Sequence, residues 1–290
     1  MGTPFLYIAT VLIWGTTWIA ITYQLGSAAP TTSVALRFAV ASALLFLWCA
    51  IRRIPLRLTA QQHRRAAAQG ACLFGINLLF VYLAERSVPS GVVSVIFTAI
   101  IPMNLVGARL LYGTRISKQM GIGAALGLAG VALVFWPELA DIHSMKASLA
   151  GLAFALLGTV SASAGNLMSV RNQREGMPIL QTNAFGMAYG AASVGLIGAL
   201  FGQSFHVDWS SAYVLSLAYL AVFGSVLAFG AYLTLIGRIG AGRAAYTGVL
   251  FPLVALAIST LWEHYHWTPS ALVGMGCCVT GSLFMNMRRS

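Results

Sequence analysis

Charge is scarce in this sequence. Asp, Glu, Lys and Arg make up 8% of the 290 residues, against roughly 25% in a soluble domain. Apolar residues take their place, at 59% of the chain and a mean hydropathy of +0.82. A water-soluble fold of this length cannot hide so much apolar surface, because even a large domain leaves about a quarter of its unfolded surface exposed. The apolar residues also come in blocks too long for short core helices. Most of the chain therefore has lipid, not water, as its solvent.

Cysteine is scarce as well. Cys49, Cys72, Cys277 and Cys278 all lie inside apolar blocks. The paired spacings of a disulfide framework and the CxxC pairs of a zinc site are both missing. The four read as small buried apolar residues, and neither a metal nor a cofactor is expected. Catalytic signatures are also missing: there is no HExxH, no pair of carboxylates and no Ser-His-Asp grouping in the loops, so an enzyme has little to work with. The two lysines, Lys118 and Lys146, do not follow a Gly-x4-Gly pattern, which excludes a P-loop and hence an ATPase of the chain's own. The net charge of +11 does not point to nucleic acid, because the basic residues sit at the ends of apolar runs, the footprint of membrane topology. The N-terminus lacks a basic n-region, and its apolar run from Phe5 to Tyr23 is long enough to span, so it reads as a helix that stays.

What is present is a series of apolar segments. A spanning helix needs about 20 mostly apolar residues, and ten stretches qualify: 5–24, 31–51, 66–84, 90–112, 118–136, 147–170, 179–201, 211–236, 242–262 and 269–287. Pro89, Pro137, Pro178 and Pro269 mark boundaries, since the residue before a proline leaves the helical region. The polar link from Arg52 to Arg65 is the longest. Lys and Arg set the orientation. With the N-terminus inside, the cytoplasmic side holds 14: Arg52, Arg53, Arg57, Arg64, Arg65, Arg109, Arg115, Lys118, Arg171, Arg174, Arg238, Arg243, Arg288 and Arg289. The other side holds 2, Arg86 and Lys146. Both termini are therefore expected in the cytoplasm.

The ten segments fall into two sets of five. Pro30 and Pro178 each open the second helix of a set, and Pro102 and Pro252 each lie inside the fourth. Gly123 and Gly130 in helix 5 match Gly274 and Gly281 in helix 10. Five is odd, so the second set enters the bilayer from the opposite side. The expected fold is an all-α integral membrane protein with ten transmembrane helices as two inverted five-helix repeats, 1–136 and 147–288, forming one transport domain. Inverted repeats are a common construction of secondary transporters, with the substrate site at the repeat interface near the midplane.

The run Leu12-Ile13-Trp14-Gly15-Thr16-Thr17-Trp18, then Pro30 and Leu36-Arg37-Phe38, resembles the opening of EamA-type members of the drug/metabolite transporter superfamily. The mid-helix Pro102 and Pro252, the glycine-spaced helices 5 and 10, and Glu263 followed by Thr268 resemble the family too. The chain departs from the pattern at Tyr112-Gly113, where a glutamate is frequent, and at Ser161-Ala162-Ser163-Ala164-Gly165, where a tryptophan is common. The resemblance implies export of amino acids or other metabolites from a central cavity bounded by helices 1, 3, 4, 6, 8 and 9. Among the members, the chain looks most like the exporters of aromatic and other apolar amino acids. A multidrug or other-metabolite exporter is the alternative, and a channel or membrane-embedded enzyme a distant one. A cell (inner) membrane location follows, with a small-molecule substrate, lipid around it, and a monomer or homodimer.

Candidate residues lie on those helices. No Asp, Glu, Lys or His sits in the middle of a span, which argues against a carboxylate proton relay and favours facilitated movement or weak coupling through Glu85 or Glu263. Arg37 is the exception, about seven residues into helix 2. An arginine at a helix centre costs about 2.5–3.5 kcal/mol or more in lipid, so it pairs, snorkels, or faces the cavity and a substrate carboxylate. Asn77, Thr98, Ser161, Ser163, Asn166, Tyr232, Tyr246 and Thr247 are polar residues in apolar helices, with helix-to-helix hydrogen bonding as their competing role. Trp14, Trp18, Tyr82, Phe97 and Phe251 supply an aromatic lining, the usual wall of a small-molecule pocket, with packing or the interfacial belt as the competing role. Pro102 and Pro252 are candidate paired hinges. Helices 5 and 10 carry small-residue faces that either close the monomer or build a dimer.

Overall fold

The computed structural model describes residues 2–26, 28–134, 136, 145–245, 247–262 and 267–286. The chain forms α1 (Thr3–Thr22), α2 (Pro30–Ile51), α3 (Ala60–Glu85), α4 (Ser90–Tyr112), α5 (Lys118–Val134), α6 (Met145–Arg174), α7 (Ile179–Leu200), α8 (Ser211–Ile239), α9 (Thr247–Trp262) and α10 (Pro269–Asn286). A single helical turn, Ala241–Ala244, joins α8 to α9. No strand occurs among the described residues. Among the described residues seven helices, α1 to α4 and α6 to α8, are long and apolar enough to cross a bilayer, while α5, α9 and α10 contain shorter apolar stretches.

Helix ends follow local chemistry. Pro30 opens α2 where its missing N–H costs nothing, and Pro89 and Pro178 cap α4 and α7. Gly113 ends α4 in the left-handed region at φ 66°, a conformation that suits glycine. α3 begins at Ala60, six residues before the expected 66. The reason is a capping box: Thr59 accepts from the Gln62 amide, and the Gln62 side chain accepts from the Thr59 amide. That box lifts a polar first turn clear of the apolar span and shortens the longest link.

Among the described residues three helices depart from α geometry. The π-helical turn Ala71–Ile76 interrupts α3, and the π-helical turn Leu220–Leu227 interrupts α8. α3 and α8 are the third helices of their respective halves, and the two turns are about 150 residues apart. In α4 the 3₁₀ turn Phe97–Ala99 precedes Pro102. Pro102 has no N–H for the Thr98 carbonyl, and the Ile100 amide supplies a bond to it instead.

Packing pairs the halves. α5 lies against α10, α2 against α7, and α4 against α9. α1 packs on α9 as α6 packs on α4, and α1 on α8 as α6 on α3. α2 meets α8 as α7 meets α3. Exchanging each helix for the one five places along maps these contacts onto themselves. Close approach at α5–α10 rests on glycine: a Cβ on Gly274 would lie 2.5 Å from the Gly130 carbonyl oxygen, and one on Gly281 2.6 Å from that of Gly123. The α5–α10 glycine face thus packs within one chain. Leu110, Leu111, Leu200 and Phe201 remain exposed on the outer surface, where lipid contact suits them.

Candidate functional site

A partly open cavity lies between the two halves. One face of α1 supplies Trp14, Thr17, Trp18 and Ile21, the three- and four-residue spacing of a single helical stripe. α3 supplies Leu73, Asn77, Leu78 and Val81, and α2 supplies Arg37. Phe97 and Ile100 come from α4, Ala162 and Asn166 from α6, and Phe229 and Tyr232 from α8. Thr247, Gly248 and Phe251 of α9, with Ala245 before it, complete the wall.

Aromatic rings dominate that wall. The Trp14 ring lies 4.8 Å from Tyr232 and 5.0 Å from Phe229, centroid to centroid. Trp18 stacks on Phe251 at 5.7 Å and meets Phe97 edge-on at 5.7 Å. These offset and edge contacts are the favoured arrangements of ring quadrupoles. They build a continuous apolar lining from α1, α4, α8 and α9, so both halves contribute to it.

Polar contacts tie the cavity wall to the π-turns. A π-turn leaves backbone carbonyls without their ordinary i+4 partner. In α8, the Gly224 carbonyl accepts the Trp14 indole N–H at 3.2 Å. In α3, the Cys72 carbonyl accepts the Ser161 hydroxyl at 2.8 Å. The two bonds are counterparts: the first helix of each half donates to the π-turn of the other half. Ser225, also in the α8 π-turn, donates to the Leu220 carbonyl and accepts from Arg37 Nε at 2.9 Å. Asn77 follows the α3 π-turn and donates Nδ2 to the Leu73 carbonyl at 3.1 Å.

Arg37 is buried, 2% exposed, and its guanidinium lies 5.3 Å from the Phe38 ring centroid. Among the described residues it pairs with no carboxylate, and the ion pair seen is Arg65–Glu175 at the far ends of α3 and α6. No Asp, Glu, Lys or His lines the cavity among the described residues. Nor do three His, Cys, Asp or Glu side chains group there or elsewhere among the described residues as a metal site requires.

The residues expected at the site separate into two groups. Trp14, Trp18, Arg37, Asn77, Phe97, Asn166, Tyr232 and Thr247 line the cavity together. Tyr82, Thr98, Ser161 and Ser163 do not. Tyr82 is fully buried behind the wall, donates to Gln24 Oε1 at 2.8 Å, and neighbours Arg37 and Glu85. Thr98 is buried beside Cys278 of α10. Ser161 is engaged with the α3 π-turn, and Ser163 is buried away from the lining. Tyr246 and Glu263 lie outside the described residues. Pro102 and Pro252 sit within α4 and α9, each about one turn beyond a lining residue, Phe97 in α4 and Thr247 and Gly248 in α9. Val81, Ile21 and Phe229 line the cavity without having been singled out. The α1 spacing 14, 17, 18, 21 was a usable signal for Ile21. Phe229 had none, because the π-turn before it rotates the face it presents.

Comparison with known proteins agrees with this architecture. The model of the EamA-like transporter family matches twice, over residues 2–136 and 149–287. The chain is 28% identical over 256 residues to the uncharacterized inner membrane transporter YedA of Escherichia coli (strain K12), covering 87% of this chain and 80% of that protein. It is 24% identical over 290 residues to a probable amino-acid metabolite efflux pump of the same organism, covering 97% and 93%. A solved crystal structure shares the fold at a TM-score of 0.74 and 18% identity, covering 98% of this chain and 96% of the other. Two family domains in tandem, apolar helices of spanning length and relatives named as inner membrane transporters agree with one another, and this chain belongs to the EamA-like transporter family.

Proposed function

We propose that this protein is a secondary transporter that exports small apolar metabolites, aromatic and other apolar amino acids first among them. The observation that carries the reading is the cavity itself. It lies between the two halves, is walled by Trp14, Trp18, Phe97, Tyr232 and Phe251, and holds one buried cation. Apolar walls with a few placed polar groups are the character of small-molecule pockets. The relative named as a probable amino-acid metabolite efflux pump supports the same substrate class.

Movement is by alternating access. In this reading ten spans form two inverted repeats, 1–136 and 147–288, with both termini cytoplasmic. The mapped contact pattern and the paired π-turns support the duplication, and the 14:2 distribution of Lys and Arg supports the orientation. Pro102 and Pro252 act as paired hinges at the cavity ends of α4 and α9. The absence of a carboxylate from the described lining favours movement down a gradient over a carboxylate proton relay.

Purified protein in liposomes tests the reading. Efflux of preloaded radiolabelled phenylalanine or leucine should saturate and be competed by analogues. Uptake of dyes and cationic drugs with no amino-acid efflux would replace it with multidrug export. An unsaturable ion current would make the protein a channel.

A further inference from the structure

Four buried polar atoms on cavity-lining side chains have no hydrogen-bond partner among the described residues. Arg37 uses Nε on Ser225, but its Nη1 has none. Trp18, 6% exposed, has a free indole Nε1. Asn77, 3% exposed, uses Nδ2 on the Leu73 carbonyl and leaves Oδ1 unbonded. The Asn77 amide cannot be turned round without loss, because a carbonyl only accepts. Asn166, 0% exposed, likewise uses Nδ2 on the Tyr232 hydroxyl and leaves its Oδ1 unbonded. All four side chains line the one cavity. An unpaired buried donor or acceptor is expensive, most of all on a charged group. An occupant that supplies the missing partners accounts for all four.

The chemistry of the occupant follows from the sign of each atom. A guanidinium donates only, stays charged, and matches the planar fork of a carboxylate. Trp18 adds a second donor, and Asn77 and Asn166 each add an acceptor. Both acceptors are neutral amide oxygens, and no carboxylate lines the cavity among the described residues to balance an ammonium. Ring faces attract a cation only modestly. The positive pole of the site is thus strong and the negative pole weak.

We infer that Arg37 anchors the carboxylate of the substrate while Asn77 accepts a hydrogen bond from a donor elsewhere on it, so that the carboxylate is indispensable and the ammonium of an amino acid is replaceable by a neutral hydroxyl. The substrate class is then apolar carboxylic acids that carry a 2-amino or a 2-hydroxy group. This inference rests on the transport reading above and deepens it.

Competition in proteoliposomes separates the two poles. Efflux of radiolabelled phenylalanine is measured against 3-phenyllactate, which keeps the carboxylate and replaces the ammonium by hydroxyl, and against phenylalaninamide, which keeps the ammonium and loses the carboxylate. Phenyllactate should compete within about threefold of phenylalanine, and the amide should be weaker by at least about tenfold. In Arg37→Gln the preference for acid over amide should collapse, and Arg37→Lys should restore part of it. An amide that competes as well as the acid overturns the anchor and leaves the transport reading standing. No phenylalanine efflux at all counts against amino-acid export. The anchor is then judged by thermal stabilisation of purified wild-type and Arg37→Gln protein with matched apolar acids and amides. Acid-selective stabilisation of wild type lost in the variant upholds it, and its absence overturns it. Because the analogue panel uses unaltered protein, a variant that fails to fold does not remove the test.

Discussion

Trp14 and Gly224 are 210 positions apart in the chain, yet the indole N–H of one meets the carbonyl of the other at 3.2 Å. The bond joins α1 of the first half to the π-turn of α8 in the second. It holds the Trp14 ring against Phe229 and Tyr232, so the same side chain packs the wall and satisfies the backbone. Trp14→Phe keeps the ring contacts and removes the donor. The Gly224 carbonyl then loses this partner, which costs about 1–3 kcal/mol. A lower melting temperature in detergent, with ligand selectivity retained, is the expected result.

The α5–α10 contact gives a sharp pair of glycine variants. A side chain at Gly274 collides with the Gly130 carbonyl at 2.5 Å, whereas Gly276 faces open space with nothing within 4 Å. Gly274→Val should therefore separate the helices and destabilise by about 1–3 kcal/mol or more. Gly276→Ala should melt within experimental error of wild type. Size-exclusion profiles and thermal melts of the two purified variants check the contrast, and equal melts would remove the close-approach argument.

The hinge reading predicts a trade between stability and rate. Pro252 leaves the Gly248 carbonyl without the amide four residues on, and a proline inside a helix costs about 3 kcal/mol. Pro252→Ala restores that amide at the edge of the cavity. The variant should melt higher, bind substrate as before and transport more slowly. Pro102→Ala should behave alike in the first half. Wild-type transport rates in both would exclude a hinge at these positions.

Orientation is testable by labelling. In a background with the four native cysteines replaced, Arg57→Cys and Ser204→Cys place single thiols at exposed positions on opposite ends of the helices. A membrane-impermeant maleimide added to intact spheroplasts should label Ser204→Cys and not Arg57→Cys. The reverse pattern would put the N-terminus outside.

The capping box at the start of α3 is a local test outside the cavity. Thr59→Ala removes the acceptor for the Gln62 amide, and loss of an N-cap costs about 1 kcal/mol. Stability should fall by that amount with transport unchanged. A fall in transport at unchanged stability would tie this turn to the cycle.

Much of the architecture was legible in the sequence because lipid leaves few options. Apolar runs of spanning length, Lys and Arg at their ends, and prolines at matching places in two halves are each read one residue at a time. Trp14, Trp18, Asn77 and Tyr232 could be placed on the right helices for the same reason. Tyr82 and Ser161 could not be placed on the right face. An extra residue in a π-turn advances everything after it by about 100° around the helix axis. A face extrapolated from before the α3 π-turn therefore does not carry past it, and of the residues that follow, Asn77, Leu78 and Val81 line the cavity while Tyr82 does not.

The order of residues is enough to put this chain in a membrane, to match its two halves, and to embed one arginine among apolar residues. Those properties follow from composition and spacing, which need no knowledge of neighbours. Folding adds which carbonyls the π-turns release, that Trp14 and Ser161 take them up across the halves, and that Arg37, Trp18, Asn77 and Asn166 bring unbonded atoms to one cavity. A hydrogen bond is a property of two partners, and here the partners are far apart in the chain.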